Sequence, residues 1–206
     1  MEYEYRQNDV DTSIWQARRV RIALIGGPQM GKKYLLQRIL MGIYKEIPYD
    51  PTGPVEDYIY RKINMELLGK MLLLDLCIVT IYNEYFWELS RCIKDASLII
   101  VCFGIEDHAS LESVERVWSR RSEIRQLHPD VPVLLLGCKM DSRCKEKIIG
   151  ERRLEPVSHK QGTEVAQRIR ASMYLECSAK TGQGVNEAFY HAARLSFRGK
   201  RHTIIT

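Results

Sequence analysis

The chain has 206 residues, 45% of them hydrophobic and 28% charged, with a formal net charge of +5. This suits one domain with one substantial core, excludes a bilayer span because no apolar run approaches roughly 20 residues, and gives no argument for nucleic acid from so mild a charge excess. The six cysteines show no C-x-x-C spacing; without a signal-peptide core at the N-terminus they read as reduced thiols of a cytoplasmic protein, not as a zinc site.

In chain order, residues 1–19, "MEYEYRQNDVDTSIWQARR", are polar and acidic-aromatic and predict a flexible extension. "RVRIALIG" predicts a strand. "KKYLLQRILMGIYK" follows with helical spacing at Leu35, Leu36, Ile39 and Leu40. "VEDYIYRKINMELLGKMLLLDLCIV" predicts two strands with a turn near Leu68 to Lys70. "ASLIIVCFGI", "VPVLLLGC" and "SMYLECSA" are short apolar runs bounded by turn residues, as strands buried on both faces are. Between and after them, helical patterns lie in "SLESVERVWSRRSEIRQL", in Gly162 to Arg170 and in "VNEAFYHAARLSF". The alternation predicts an α/β domain over residues 20–197 with a mainly parallel sheet, whose ligands bind outside the carboxyl ends of the strands. Residues 198–206 form a short tail. Its basic cluster, Arg198, Lys200, Arg201 and His202, reads as a solvated tail or as a weak contact with anionic lipid.

Three motifs fall at strand ends. The first is "GGPQMGKK", between a strand and a helix, which completes G-x-x-x-x-G-K in Gly26, Gly31 and Lys32. Backbone N–H groups of such a turn and of the following helix attract phosphate oxygens, and the lysine reaches the terminal phosphates. The candidate cradle is Gly26, Gln29, Met30, Gly31, Lys32, Lys33 and Tyr34. Two residues weaken it. Pro28 brings no N–H, and Lys33 stands where a hydroxyl would hold Mg²⁺. A relic turn that binds nothing is the alternative at this point. The second motif is "GCKMD", Gly137 to Asp141. A carboxylate there accepts from the ring N–H and exocyclic amine of guanine, a donor pair that adenine lacks, while Lys139 packs its stem along the base. The third is "ECSAK", Glu176 to Lys180, where the N–H of Ala179 can donate to the guanine carbonyl oxygen.

With these motifs in this order, the chain resembles the Ras-like small GTPases, and most closely the Rho subfamily, over roughly Val20 to Phe197. "YDPTGPVEDY" is similar to the first switch stretch of Rho proteins, with Thr52 at the threonine that senses the terminal phosphate. "VCFGI" with "SLESV", "HPDVPVLLLGCKMDSR" and above all "YLECSAKTGQGVNEAF" are similar to Rho segments. The resemblance implies a mixed six-stranded, mostly parallel sheet with about five helices, a guanine-nucleotide site that takes GTP or GDP, and two switch segments that contact protein effectors and regulators. It implies a monomer, and a shortened version of the extra Rho helix between Ser142 and Lys160. It also implies Mg²⁺ ligands at Thr52 and Asp75. The base contacts it carries over fall on Cys138, Lys139, Asp141, Ser178, Ala179 and Lys180, with Cys138 in place of an Asn or Thr.

The departures are in the catalytic half. After Asp75 the family's D-T-A-G-Q-E gives way to Leu76, Cys77, Ile78 and Val79. No glycine occurs from Lys70 to Phe103 and no glutamine from Arg38 to Arg125, so the glycine that senses the γ-phosphate and the glutamine that orients water are both missing. The second switch carries bulky apolar residues (Ile81, Tyr82, Tyr85, Phe86, Trp87), expected to pack as a helix. No cysteine follows Cys177, so no prenyl anchor is expected, and membrane contact would be peripheral and weak. The sequence therefore points to an atypical Rho-like switch or constitutively GTP-bound module with at most slow hydrolysis. The other reading is a pseudo-GTPase scaffold whose site is empty, and an ordinary GTPase helped by an activating partner is a third.

Overall fold

A computed structural model describes residues 18–45, 58–67, 70–80, 93–119, 130–144, 147–149 and 152–197. The expectations for the N-terminal extension, the basic tail, Thr52 and its switch stretch, the turn at 68–69 and the apolar second switch lie outside these residues.

Eight strands are present among the described residues: β1 (Arg18–Gly26), β2 (Tyr58–Leu67), β3 (Lys70–Thr80), β4 (Leu98–Gly104), β5 (Val133–Cys138), β6 (Lys147–Ile149), β7 (Arg152–Leu154) and β8 (Met173–Glu176). Four α-helices accompany them among the described residues: α1 (Lys32–Met41), α2 (His108–Ser119), α3 (His159–Arg168) and α4 (Val185–Ser196). Six strands make one sheet in the order β2-β3-β1-β4-β5-β8. β2 runs antiparallel to β3 and every other pairing is parallel. This is the mixed, mostly parallel α/β sheet that the alternation of apolar runs and amphipathic helices demanded.

Period-two alternation sends residues to two cores. Ile22, Leu24, Leu74, Leu76, Ile100 and Leu136 pack with Leu35 and Leu36 of α1 and Phe189 and Ala192 of α4. Ala23, Ile25, Val79, Val101, Phe103 and Leu135 pack with Leu111 and Val114 of α2 and Val165 and Ala166 of α3. β4 and β5 are buried along their whole length, which is why their sequences are continuous apolar runs. α1 stops at Gly42, whose φ of 68° is left-handed and whose N–H caps the Arg38 carbonyl.

Two expectations are corrected. The stretch from Ser142 to Lys160 does not form a shortened extra helix. A 3₁₀ turn (Met140–Cys144) is followed by the antiparallel β6–β7 hairpin, and α3 starts only after Ser158. Gly150 favours a turn between the short strands "KII" and "RRL" and Pro156 bars a continuous helix. Ser158 then opens α3 with a capping box, taking the Gln161 N–H at 3.3 Å while Gln161 Oε1 takes the Ser158 N–H at 2.8 Å. Second, Cys77 is disulfide-bonded, against the expectation of six reduced thiols. Local geometry decides such pairing, and reasoning from compartment does not see it. Cys102, Cys138 and Cys177 carry free thiols.

Candidate nucleotide site

β1 ends at Gly26, and a Cβ there would come within 2.6 Å of the Cys102 carbonyl on β4. Only glycine allows this approach. Gln29 (φ 59°) and Gly31 (φ 89°) then turn the chain through left-handed conformations into α1. Gly31 is the N-cap of α1 and supplies no side-chain cap, so the first N–H groups of the helix face the loop for an anion to use. Lys32 is buried and folds back across this loop. Its ammonium donates to the carbonyls of Gly26 (2.8 Å) and Gly27 (2.5 Å).

A cleft of 260 Å³ opens beside the loop. Its walls bring together Gly31, Tyr34, Cys138, Lys139, Asp141, Ala179 and Lys180, all anticipated from sequence. "GCKMD" follows β5 and "ECSAK" closes β8, and the Met140 N–H to the Cys177 carbonyl (3.0 Å) ties the two loops. Ser178 is fully buried, and its hydroxyl donates to Asp141 Oδ1 at 2.7 Å, fixing the carboxylate. A Cβ on Gly31 would lie 4.0 Å from the Lys139 stem, so Lys139 spans from phosphate loop to cleft. Its ammonium pairs with Glu106 at 2.7 Å. Gln29 and Met30 do not reach this cleft. With Gly26 they border a second one, of 400 Å³, against α2.

Cys102, Cys138 and Cys177 are buried in one core cluster. Hydrogen bonds from Cys102 and then Cys177 lower the Cys138 pKa, with Lys32 and Lys139 adding to the effect, and the same bonds raise the other two. Glu176 anchors the base loop from behind. Arg143 clasps its carboxylate with both terminal nitrogens and reaches the Val157 carbonyl (2.9 Å), while the Tyr174 hydroxyl donates at 2.5 Å. Burial pushes the Glu176 carboxyl up, but Arg143 and Tyr174 outweigh it and hold it below its usual value. Burial and the Glu176 carboxylate push the Tyr174 hydroxyl well up.

Sequence reasoning missed Tyr44, Glu106 and Arg38. The Tyr44 ring lies 5.1 Å from that of Tyr34 and both line the cleft; an aromatic two residues past the helix-stopping Gly42 was the available signal. Glu106 and Arg38 carry none, because what they touch is distant in sequence.

Asp75 is not where the Mg²⁺ reading put it. In the β1–β3 register Gly26 stands level with Thr80 and Asp75 level with Arg21. Five residues of strand, about 16 Å at roughly 3.3 Å each, separate Asp75 from the loop. Its carboxylate is fully buried, takes the Arg19 guanidinium on Oδ2 and leaves Oδ1 without a hydrogen bond. Lys33 lies exposed in the first turn of α1, and its ammonium cannot ligate a cation. Among the described residues no group of three His, Cys, Asp or Glu is arranged to hold a metal ion. The described residues thus bring together the side chains expected around a guanine base, while neither Lys33 nor Asp75 stands where it could hold a Mg²⁺ ion at the loop.

The Ras family model matches residues 21–197. The chain is 35% identical over 185 residues to GTP-binding protein RHO1 of Candida albicans, covering 88% of this chain and 90% of that one. It is 34% identical over 188 residues to RHO1 of Saccharomyces cerevisiae, with 90% and 87% covered. It is also 34% identical over 181 residues to rho5 of Schizosaccharomyces pombe, with 86% and 87% covered.

Proposed function

Because the chain belongs to the Rho subfamily of the Ras-like small GTPases, we propose that it binds a guanine nucleotide, hydrolyses it slowly or not at all, and serves as a GTP-loaded module for protein effectors. The observation that carries this reading is the cleft in which Ser178 fixes Asp141 beside Lys139, next to an open helix N-terminus. Asp141 accepts from the two guanine donors and the Ala179 N–H donates to the guanine oxygen. Tyr34 and Tyr44 flank the cleft, and Lys32 and the first turn of α1 meet the phosphates. Among the described residues nothing equivalent serves hydrolysis. The chain between β3 and β4 has neither glycine nor glutamine, so the glycine N–H that senses the γ-phosphate and the glutamine that orients water in the family are both missing. Lys33 supplies charge near the phosphates in place of Mg²⁺, which makes binding independent of the metal. We place effector contacts on the segments around Thr52 and after Thr80, in a cytoplasmic monomer with at most peripheral membrane contact. No described helix is long and apolar enough to cross a membrane.

Titration with fluorescent GTP and ATP tests the site. GTP should bind and ATP should not, and Asp141→Ala should weaken GTP by at least about tenfold, since hydrogen bonds to a charged group are each worth roughly 1.5–3 kcal/mol. Equal binding of the two nucleotides would contradict the reading. The second reading, a nucleotide-free interaction scaffold, is favoured by Lys33 and by the missing glycine and glutamine. Absence of any thermal shift with GTP, with or without Mg²⁺, would select it.

A further inference from the structure

We propose that Arg38 is the clamp on the base-binding loop and sets how fast a bound guanine nucleotide leaves. This rests on the guanine reading above. Arg38 lies late in α1, the helix that begins at the phosphate loop. All three of its guanidinium nitrogens are engaged, and all by backbone carbonyls. Nε donates to Ala179 at 2.8 Å, Nη2 to Lys180 at 2.6 Å and Nη1 to Gly42 at 2.8 Å. A planar fork reaches these carbonyls at once, and an ammonium cannot.

The consequence follows peptide by peptide. The Ser178 carbonyl is held by the Gly182 N–H at 2.8 Å, which fixes the peptide whose opposite edge is the Ala179 N–H. Arg38 fixes the next two carbonyls. Three consecutive peptide planes are therefore set, and the donor for the guanine oxygen sits on the first of them. Gly182 (φ 85°) packs on the guanidinium, since a Cβ there would lie 3.8 Å from Arg38 Cζ. The third bond, to Gly42, ties the same guanidinium to the end of α1, from which Tyr44 enters the cleft. One side chain thus joins the base loop to the helix that carries the phosphate loop. Without it the loop can open while the rest of the site stays in place.

The test compares Arg38→Met, which keeps the apolar stem, with Arg38→Lys. It measures release of fluorescent GDP into excess unlabelled GDP, amide exchange over residues 178–183, and Tm. Arg38→Met should release nucleotide about tenfold faster or more, from the loss of charge-assisted bonds, and its loop amides should exchange faster; Arg38→Lys should fall between. Val165→Ala, a deletion in the opposite core, should lower Tm and leave release unchanged, which separates clamping from plain destabilisation. Unchanged release together with unchanged loop exchange in Arg38→Met overturns the proposal. If the wild-type chain holds no guanine nucleotide, the guanine reading fails by itself. Loop exchange then decides the clamp, with faster exchange supporting it and unchanged exchange refuting it. If Arg38→Met does not fold, Arg38→Lys carries both measurements.

Discussion

Lys33 puts an ammonium in the first turn of α1, immediately after the lysine that lies across the phosphate loop. If its charge substitutes for Mg²⁺, chelating the metal should leave GTP affinity unchanged, while Lys33→Ala should lower it several-fold. Full Mg²⁺ dependence of the wild type would refute this. Glu176 gives a pH signature. Its folded pKa lies below the ordinary 4.5 of a glutamate, so the stability it contributes is present above that value and lost as pH falls through the folded pKa. Acid unfolding followed by circular dichroism should show a stability loss beginning below about pH 4.5, with a shallower loss in Glu176→Gln. At this scale Asp141, Lys139, Ser178 and Ala179 were legible because short motifs carry them at strand ends. Asp75 was not, because an acidic residue inside a strand has no mark of register; that depends on which β1 residue it faces.

The strands were legible as elements, since β4 and β5 are uninterrupted apolar runs and a Gly-Lys pair in the sequence interrupts the apolar pattern between β2 and β3. The β6–β7 hairpin was not, because two three-residue strands give too short a pattern to tell from a loop or a broken helix. α3 shows how tertiary contact overrides propensity. Glycine inside a helix ordinarily costs up to about 1 kcal/mol against alanine. At Gly162, however, a Cβ would sit 2.2 Å from the Tyr174 ring and hydroxyl, the group that hydrogen-bonds Glu176. Gly162→Ala should therefore destabilise by roughly 1–3 kcal/mol through overpacking, as read by urea unfolding. A gain in stability would show that Tyr174 can move aside without cost.

Across the whole molecule, the sheet gathers the loops after β1, β5 and β8 at one end, and the residues proposed to hold guanine line one cleft there. On the proposed reading, hydrolysis is impaired where the sequence departs from its family: Pro28, Lys33 and the chain beyond β3. On that reading binding and hydrolysis are separable, because the base loops are braced by Arg38, Arg143 and Ser178. The decisive measurement is the nucleotide that the purified protein retains, released by denaturation and identified by chromatography. The account predicts GTP, persisting undegraded over hours of incubation; GDP accumulating from it, or no nucleotide at all, would contradict the account.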